Sequence, residues 1–389
     1  MIPPPHGGHL VNRCLSESER ARRDAEIRDL PKLHPFIDQV YDAEKIAIGA
    51  YSPLEGFMER RDLENVLARR RLSNGLPWTI PIYFAPHAAE DQDVVHGLRP
   101  GDETALLDAS GRAFALLKIA DKFPIDRAAI AERTFLTRDP AHPNVADVLR
   151  SGETALGGKV DLLHRLPAPV DRLELTPAET RERFRAKGWR TVAAYQCRNP
   201  PHTAHEYLQR CTLDREDVDG LLIHPVVGRL KKGDYTPEVI LASYEALVTN
   251  YLPSDRVLLS SLTITMRYAG PNAALFFAIV RKNYGCGAYI VGRDQAGVGK
   301  YYEPYACHRI FDELPIGVTP LRYLETFFCR KCAWMATPKT CAHPVEDHVS
   351  TAQTLIRQKL AKGEPLPVEI LRPEVAQILS RGGAVVNDG

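Results

Sequence analysis

The feature that most constrains this chain is an alternation that begins near residue 175. Short apolar runs (Thr191–Tyr195, Leu221–His224, Val257–Ser260, Ala288–Val291) take turns with helix-like segments (His202–Asp214, Pro237–Tyr251, Pro271–Tyr284, Tyr302–Glu313). Strands separated by helices need crossover connections, and crossovers make a parallel sheet covered on both faces. The fold class expected is therefore α/β. Open parallel sheets take ligands beyond the carboxyl ends of their strands. An unusual polar segment follows each strand here: Gln196–Glu206, His224–Gly228, Thr265–Gly270 and Gly292–Gly297. Each segment alone is a weak signal. Four of them at one sheet edge point to a single ligand site.

The first segment is the richest. Asn199 can cap a helix, with Pro200 and Pro201 in its first turn. His202 and His205 then stand three residues apart, on one face. That face lies at the positive end of the helix dipole, where backbone N–H groups lack partners and phosphate binds. Arg198 adds a guanidinium fork suited to phosphate or sulfate. Other chemistries are excluded by spacing. His-x-x-His-Glu puts the Glu outside the histidine pair, unlike the zinc-hydrolase motifs. Gly299-Lys300 is followed by Tyr301 and position 294 is Asp, so no Walker phosphate loop exists. A dinucleotide G-x-G-x-x-G is also missing from the first strand–helix turn.

Residues 1–170 read differently. Trp78–Phe84, Glu103–Leu107 and Ala113–Ile119 are strand-like runs among Gly, Pro and Asp turns, and Asp62–Arg70 is helical, its end carrying the solvated Arg69-Arg70-Arg71 run. A β-rich domain is expected there, joined through Arg165–Asp171, whose two prolines interrupt helix and sheet alike. The 389 residues thus divide into 1–170, 171–320 and a small third region, 321–389, with Glu346–Leu360 and Arg372–Leu379 as helices. Fifty basic and 49 acidic residues leave a net charge of +1, so no electrostatic excess marks a nucleic-acid or membrane-surface binder. The longest apolar run, Ala273–Val280, falls far short of the roughly 20 residues of a membrane span. The amino terminus lacks a basic segment followed by an apolar one, so no secretory signal is expected. Cys329, Cys332 and Cys341, with His343, make a compact set. In a reducing cytoplasm such clustering means metal, and three sulfurs with one imidazole are a common structural zinc site. Cys14, Cys211, Cys286 and Cys307 are expected to be packing residues.

With these residues in view, the chain resembles the ATP sulfurylase (sulfate adenylyltransferase) family. Gln196–His205 looks like its Q-T-R-N-P-x-H-x-x-H motif, and His202-Thr-Ala-His205 is similar to the H-x-G-H of the wider nucleotidyltransferase group. Arg267–Gly299 resembles the R-x-A-G-P…R-K-N-Y-G…G-R-D-H-A-G-x-G block, and His224–Gly228 the H-P-L-V-G element. Pro5–Arg13 and Ser52–Met58 look like landmarks of the first domain, and Thr354–Arg357 resembles a T-x-x-R element whose neighbours close over the site. Two positions depart: Cys197 replaces the usual Thr, and Gln295 the usual His.

The resemblance implies a PUA-like first domain and a nucleotidyltransferase second one. It implies that ATP and sulfate give adenosine 5′-phosphosulfate and pyrophosphate, reversibly, with magnesium on the triphosphate. Cys197, Arg198, Asn199, His202 and His205 become the catalytic set. ATP would meet Arg198, Asn199, both histidines and the loop Gly292, Arg293, Asp294 and Gln295. Sulfate would meet Gln196, Arg198 and the Ala296 N–H, with Arg267 a further anion-binding candidate. Relatives imply a cytoplasmic homo-oligomer, commonly a dimer, and the missing phosphate loop implies no attached kinase. The rival readings are another H-x-G-H nucleotidyltransferase and an RNA-binding PUA-like protein.

Overall fold

In the computed structural model, which describes residues 1–231, 233–351, 353–362, 364, 366–381 and 383–386, the chain lays down two five-stranded sheets and one small one. The first part comprises α1 (Glu17–Asp29), β1 (Lys32–Leu33), α2 (Ile37–Ala47), β2 (Gly56–Phe57), α3 (Arg60–Arg69), α4 (Gln92–Gly97), β3 (Glu103–Leu107), β4 (Ala113–Pro124), α5 (Arg127–Phe135), α6 (Pro143–Arg150) and β5 (Thr154–Leu162). Its sheet runs β1-β3-β4-β5-β2, antiparallel except for the β1/β3 pair. Trp78–Phe84, expected as a strand, is an extended buried segment outside any ladder. Pro77, Pro81 and Pro86 have no N–H to give, and only scattered bonds form, such as Met58 N–H to the Ile82 carbonyl and Leu156 N–H to that of Phe84.

The second part contributes α7 (Pro177–Ala186), β6 (Val192–Cys197), α8 (Thr203–Leu213), β7 (Gly220–Pro225), α9 (Pro237–Tyr251), β8 (Val257–Leu259), α10 (Pro271–Asn283), β9 (Ala288–Val291), α11 (Ala306–Glu313) and β10 (Thr319–Arg322). All four neighbouring pairs are parallel, in the order β10-β9-β6-β7-β8. The chain winds one way from β6 through β7 to β8, then returns to the other side of β6 for β9 and β10. The direction of winding therefore switches between β6 and β9. α11 starts at Ala306 rather than Tyr302, because Pro304 lies between and disfavours helix at the residue before it. β10 straddles the expected boundary at residue 320, so the parallel sheet ends at Arg322.

The two parts share one core. Phe57, Trp78 and Phe84 belong to the same buried cluster as Phe276, Phe277 and Tyr284 of the second part. Trp78 and Tyr51 meet Phe276 edge-on at ring separations of 5.5 and 5.2 Å. Asn283, at the end of α10, donates to the carbonyls of Ala50 and Ser52 and accepts from the His6 N–H. The first-domain landmarks are thus explained mechanically: they grip the helix that underlies the second sheet.

The last part forms β11 (Phe327–Cys329), β12 (Trp334–Ala336) and β13 (His348–Val349), ordered β12-β11-β13, then α12 (Gln353–Ala361) and α13 (Pro373–Leu379). The helix expected over Glu346–Leu360 is replaced by a single tight turn at Val345–Asp347, a short strand, and a helix from 353. Pairing of His348 and Val349 with β11 competes successfully with local helix preference. The Thr354 side chain lies outside the described ones. α13 packs on α9, and Arg372 pairs with Glu206 on α8, which ties the C-terminal segment back to the second sheet.

Candidate active site

A cavity of about 800 Å³ opens between the carboxyl ends of β6 and β9, at the switch in winding. Such crevices are where open parallel sheets hold ligands. Its walls include Gln196, Cys197, Arg198, Asn199, His202 and His205 from the β6 side, and Gly292 through Gly297 from the β9 side. The residues expected to meet ATP and sulfate, Arg267 apart, therefore border one space.

Successive residues of β6 point to opposite faces. Gln196 reaches Met266 and the Tyr289 hydroxyl, while Tyr195 and Cys197 pack with Leu208 and Tyr244 in the core beneath α8 and α9. Burial pushes the Cys197 thiol up to about 12. It keeps its proton at neutral pH and is no nucleophile. Arg198 is the first charged group past the strand. Its guanidinium bonds Asp234 at 2.7 Å and lies 5.2 Å from the Tyr268 ring centre. Desolvation lowers its pKa, and Asp234 opposes that fall. Neither Asp234 nor Tyr268 was singled out from sequence. The signal available was an Asp in the turn that precedes Pro237 and α9.

Asn199 is not the helix cap. α8 begins at Thr203 with His202 as the cap residue, and Pro200 and Pro201 precede the helix. Two prolines in a row hold the chain extended. Asn199 instead accepts from Arg357 of α12 at 3.0 Å. The Thr203 N–H is taken by the Ile370 carbonyl, so the C-terminal segment covers part of the helix mouth. The imidazoles of His202 and His205 stack at 3.6 Å between centroids, and among the described residues the Nδ1 of each is buried without a hydrogen-bond partner. Desolvation holds His205 down to about 4 and His202 well below its ordinary value, so both are neutral in the free protein. A polyanion bound beside them would reverse this by favouring their charged forms.

The β9 loop is bent by two non-glycine residues in the left-handed region, Asp294 (φ 53°) and Ala296 (φ 55°). Such conformations cost energy and gather at ligand sites. The Asp294 N–H bonds the Pro304 carbonyl, and the Ala296 carbonyl accepts from Gly270. Gly270 (φ 51°) caps α10 against the Tyr302 ring, which a Cβ there would meet at 2.6 Å. Arg293 is half-exposed at the rim, near Glu325.

Two polar groups lie away from this cavity. Arg267 does not line it: its buried guanidinium is ion-paired with Asp42 of α2 at 2.5 Å, which links the two domains. His224 is fully buried, with Nε2 against the Ser261 carbonyl at 3.1 Å and its ring edge-on to Tyr284. Strand β7 runs one residue past it, which carries it beneath the sheet edge.

Family models match most of the chain. One described as ATP-sulfurylase covers residues 171–382, and one described as a PUA-like domain covers 3–165. A sulfate adenylyltransferase from Symbiobacterium thermophilum is 47% identical over 381 residues, 97% of this chain and 95% of its own length. The chain belongs to the ATP-sulfurylase family. A second sulfate adenylyltransferase, from Aeropyrum pernix, is 46% identical over 380 residues, 97% of this chain and 98% of its own. Among solved structures, a hexameric APS kinase from Thiobacillus denitrificans aligns with TM-score 0.76 and 27% identity over 97% of this chain and 68% of that one. The H-x-G-H alternative outside the ATP-sulfurylase family is not favoured by these matches.

The ATP-sulfurylase matches bring the C-terminal cluster into the same molecule. Ligand atoms of Cys329, Cys332, Cys341 and His343 all lie within 4.8 Å of one another. Cys332 Sγ is 3.8 Å from Cys341 Sγ, and the three sulfurs lie 3.3–3.7 Å from His343 Nδ1. A tetrahedral ion with bonds of about 2.3 Å to sulfur and about 2.0 Å to nitrogen would set these edges near 3.8 and 3.5 Å. The donor set fits a structural metal. Ala333 in the left-handed region (φ 52°) and the Cys332 N–H directed at Cys329 Sγ form the knuckle that gathers the sulfurs. Among the described residues, no helix is long and apolar enough to cross a membrane.

Proposed function

We propose that this chain is a sulfate adenylyltransferase that moves the AMP group of MgATP to sulfate, giving adenosine 5′-phosphosulfate and pyrophosphate. The observation that carries the reading is the single cavity at the β6/β9 switch, bordered by both the Arg198–His205 segment and the Gly292–Gly297 loop. Two anions repel, and the protein's task is to hold them side by side. A sulfate oxygen attacks the α-phosphorus in line and pyrophosphate leaves. Such transfers depend on positioning and charge stabilisation more than on covalent help.

Arg198, aimed by Asp234, clamps sulfate and steadies charge at the α-phosphate. Gln196 donates to sulfate, and the Ala296 N–H does the same from the opposite wall. Asn199, paired with Arg357, orients phosphate. His202 and His205 stabilise the transition state and the departing pyrophosphate, and Gly292, Arg293, Asp294 and Gln295 hold the nucleotide. Cys197 contributes shape only. Magnesium enters with ATP and offsets part of its charge. Cys329, Cys332, Cys341 and His343 hold zinc, which staples residues 321–389 as a unit beside 1–170 and 171–320. The enzyme works in the cytoplasm as a homo-oligomer, a dimer. A coupled assay of ATP formation from adenylyl sulfate and pyrophosphate tests the reading. Turnover is expected, and an inactive, folded, metal-replete protein would defeat it.

A further inference from the structure

Tyr289 of β9 is fully buried and sits between the two walls of the cavity. Its hydroxyl is 3.1 Å from Gln196 Oε1 and 3.2 Å from Gln295 Nε2. It joins Gln196, near the end of β6, to the loop following β9 across the switch. A phenol has one proton to give, and burial pushes this one's pKa up, so the proton stays. An amide N–H₂ can only donate. With Gln295 donating to Tyr289, the tyrosine proton must point to Gln196 and can only be received by its carbonyl oxygen. The other end of Gln196, Nε2, is then left toward the cavity, where its nearest partner is the weak acceptor Met266 Sδ at 3.9 Å. The Gln295 side chain, where the family usually has His, thus touches Tyr289 as well as lining the cavity.

We propose that Tyr289 is a positioning residue that fixes the donor polarity of Gln196 and thereby the preference for sulfate over phosphate. The inference rests on the sulfate adenylyltransferase reading. Sulfate at neutral pH is acceptor-only, and a wall of fixed donors suits it. Hydrogen phosphate carries a proton that needs an acceptor, and a locked Gln196 Nε2 offers none. Without the tyrosine hydroxyl the Gln196 amide is free to turn and present Oε1, which repels sulfate and receives the phosphate proton. An unmet donor or acceptor in a buried site is a stronger discriminator than a change in apolar contact.

The test is Tyr289→Phe, which keeps the ring. Steady-state measurement gives kcat, KM for sulfate and for ATP, and the inhibition constant of inorganic phosphate against sulfate. The ratio of that constant to the sulfate KM does not depend on how much of the variant is folded. The expected result is a sulfate KM raised about tenfold, an ATP KM within about twofold, and a phosphate-to-sulfate ratio shifted about tenfold or more toward phosphate. An unchanged ratio, or sulfate and ATP constants that rise together, overturns the inference. Wild-type protein without sulfate-dependent turnover would instead overturn the functional reading on which it stands.

Discussion

Two polar regions of this molecule behave in opposite ways. At the seam between the first and second domains a set of buried charges is paired. The fully buried Lys45 ammonium bonds Glu44 at 2.5 Å and Glu174 at 3.0 Å, Glu44 also takes Arg165, and Arg267 takes Asp42. At the cavity wall, among the described residues, Nδ1 of His202 and Nδ1 of His205 are buried without a partner. A buried polar group without a partner costs stability unless a ligand repays it. The seam therefore reads as scaffold and the cavity as a site.

The contrast can be broken most sharply at Arg198. Arg198→Ala is expected to lower turnover per folded molecule about 100-fold or more at saturating substrates, with some loss of stability because the buried Asp234 loses its partner. Near-normal turnover would remove its role. Lys45→Met should do the reverse. It leaves Glu44 and Glu174 short of a buried counter-charge, a loss of about 3–5 kcal/mol in a denaturant titration, with turnover per folded molecule preserved. A stable Lys45→Met variant would mean the seam is not the scaffold described.

A smaller effect concerns pH. His6 is buried against the Pro77 carbonyl with a pKa lowered to about 4, His205 is lowered to about 4, and His224 well below its usual value, all by desolvation. Between pH 6.5 and 4 the unfolded chain binds these protons and the folded one does not. Stability contributed by the neutral histidines is thus present above 6.5 and lost as pH falls through that window. A chemical denaturation series over pH 4–7 should show a falling midpoint. A flat profile would mean these rings are solvated. The smallest effect belongs to Cys197→Ser. With the thiol buried and its pKa pushed up to about 12, turnover should stay within a few-fold of wild type, whereas complete loss would reinstate it as a reacting group.

Much of this was legible in the sequence because periodicity and ligand placement obey local rules. Pro237–Tyr251 and Ala288–Val291 have the expected bounds, and Cys329, Cys332, Cys341 and His343 converge as their spacing implies. What was not legible depends on contacts distant in sequence. Asn199 does not cap α8, which starts only at Thr203 after two prolines, and its side chain instead meets Arg357, 158 residues away. Trp78–Phe84 forms no ladder because three prolines deny it hydrogen bonds. His348–Val349 joins a sheet because β11 is there to pair with it. Asp234 and Tyr289 carry no motif, and only the fold puts them against Arg198 and Gln196.

The central claim is that one cavity holds ATP and sulfate together, with no enzyme-bound AMP between them. Exchange of labelled pyrophosphate into ATP measures this directly. The account predicts exchange only when sulfate is present, and its collapse in Arg198→Ala. Exchange of equal rate without sulfate would mean that the enzyme itself carries the AMP, and would contradict the account.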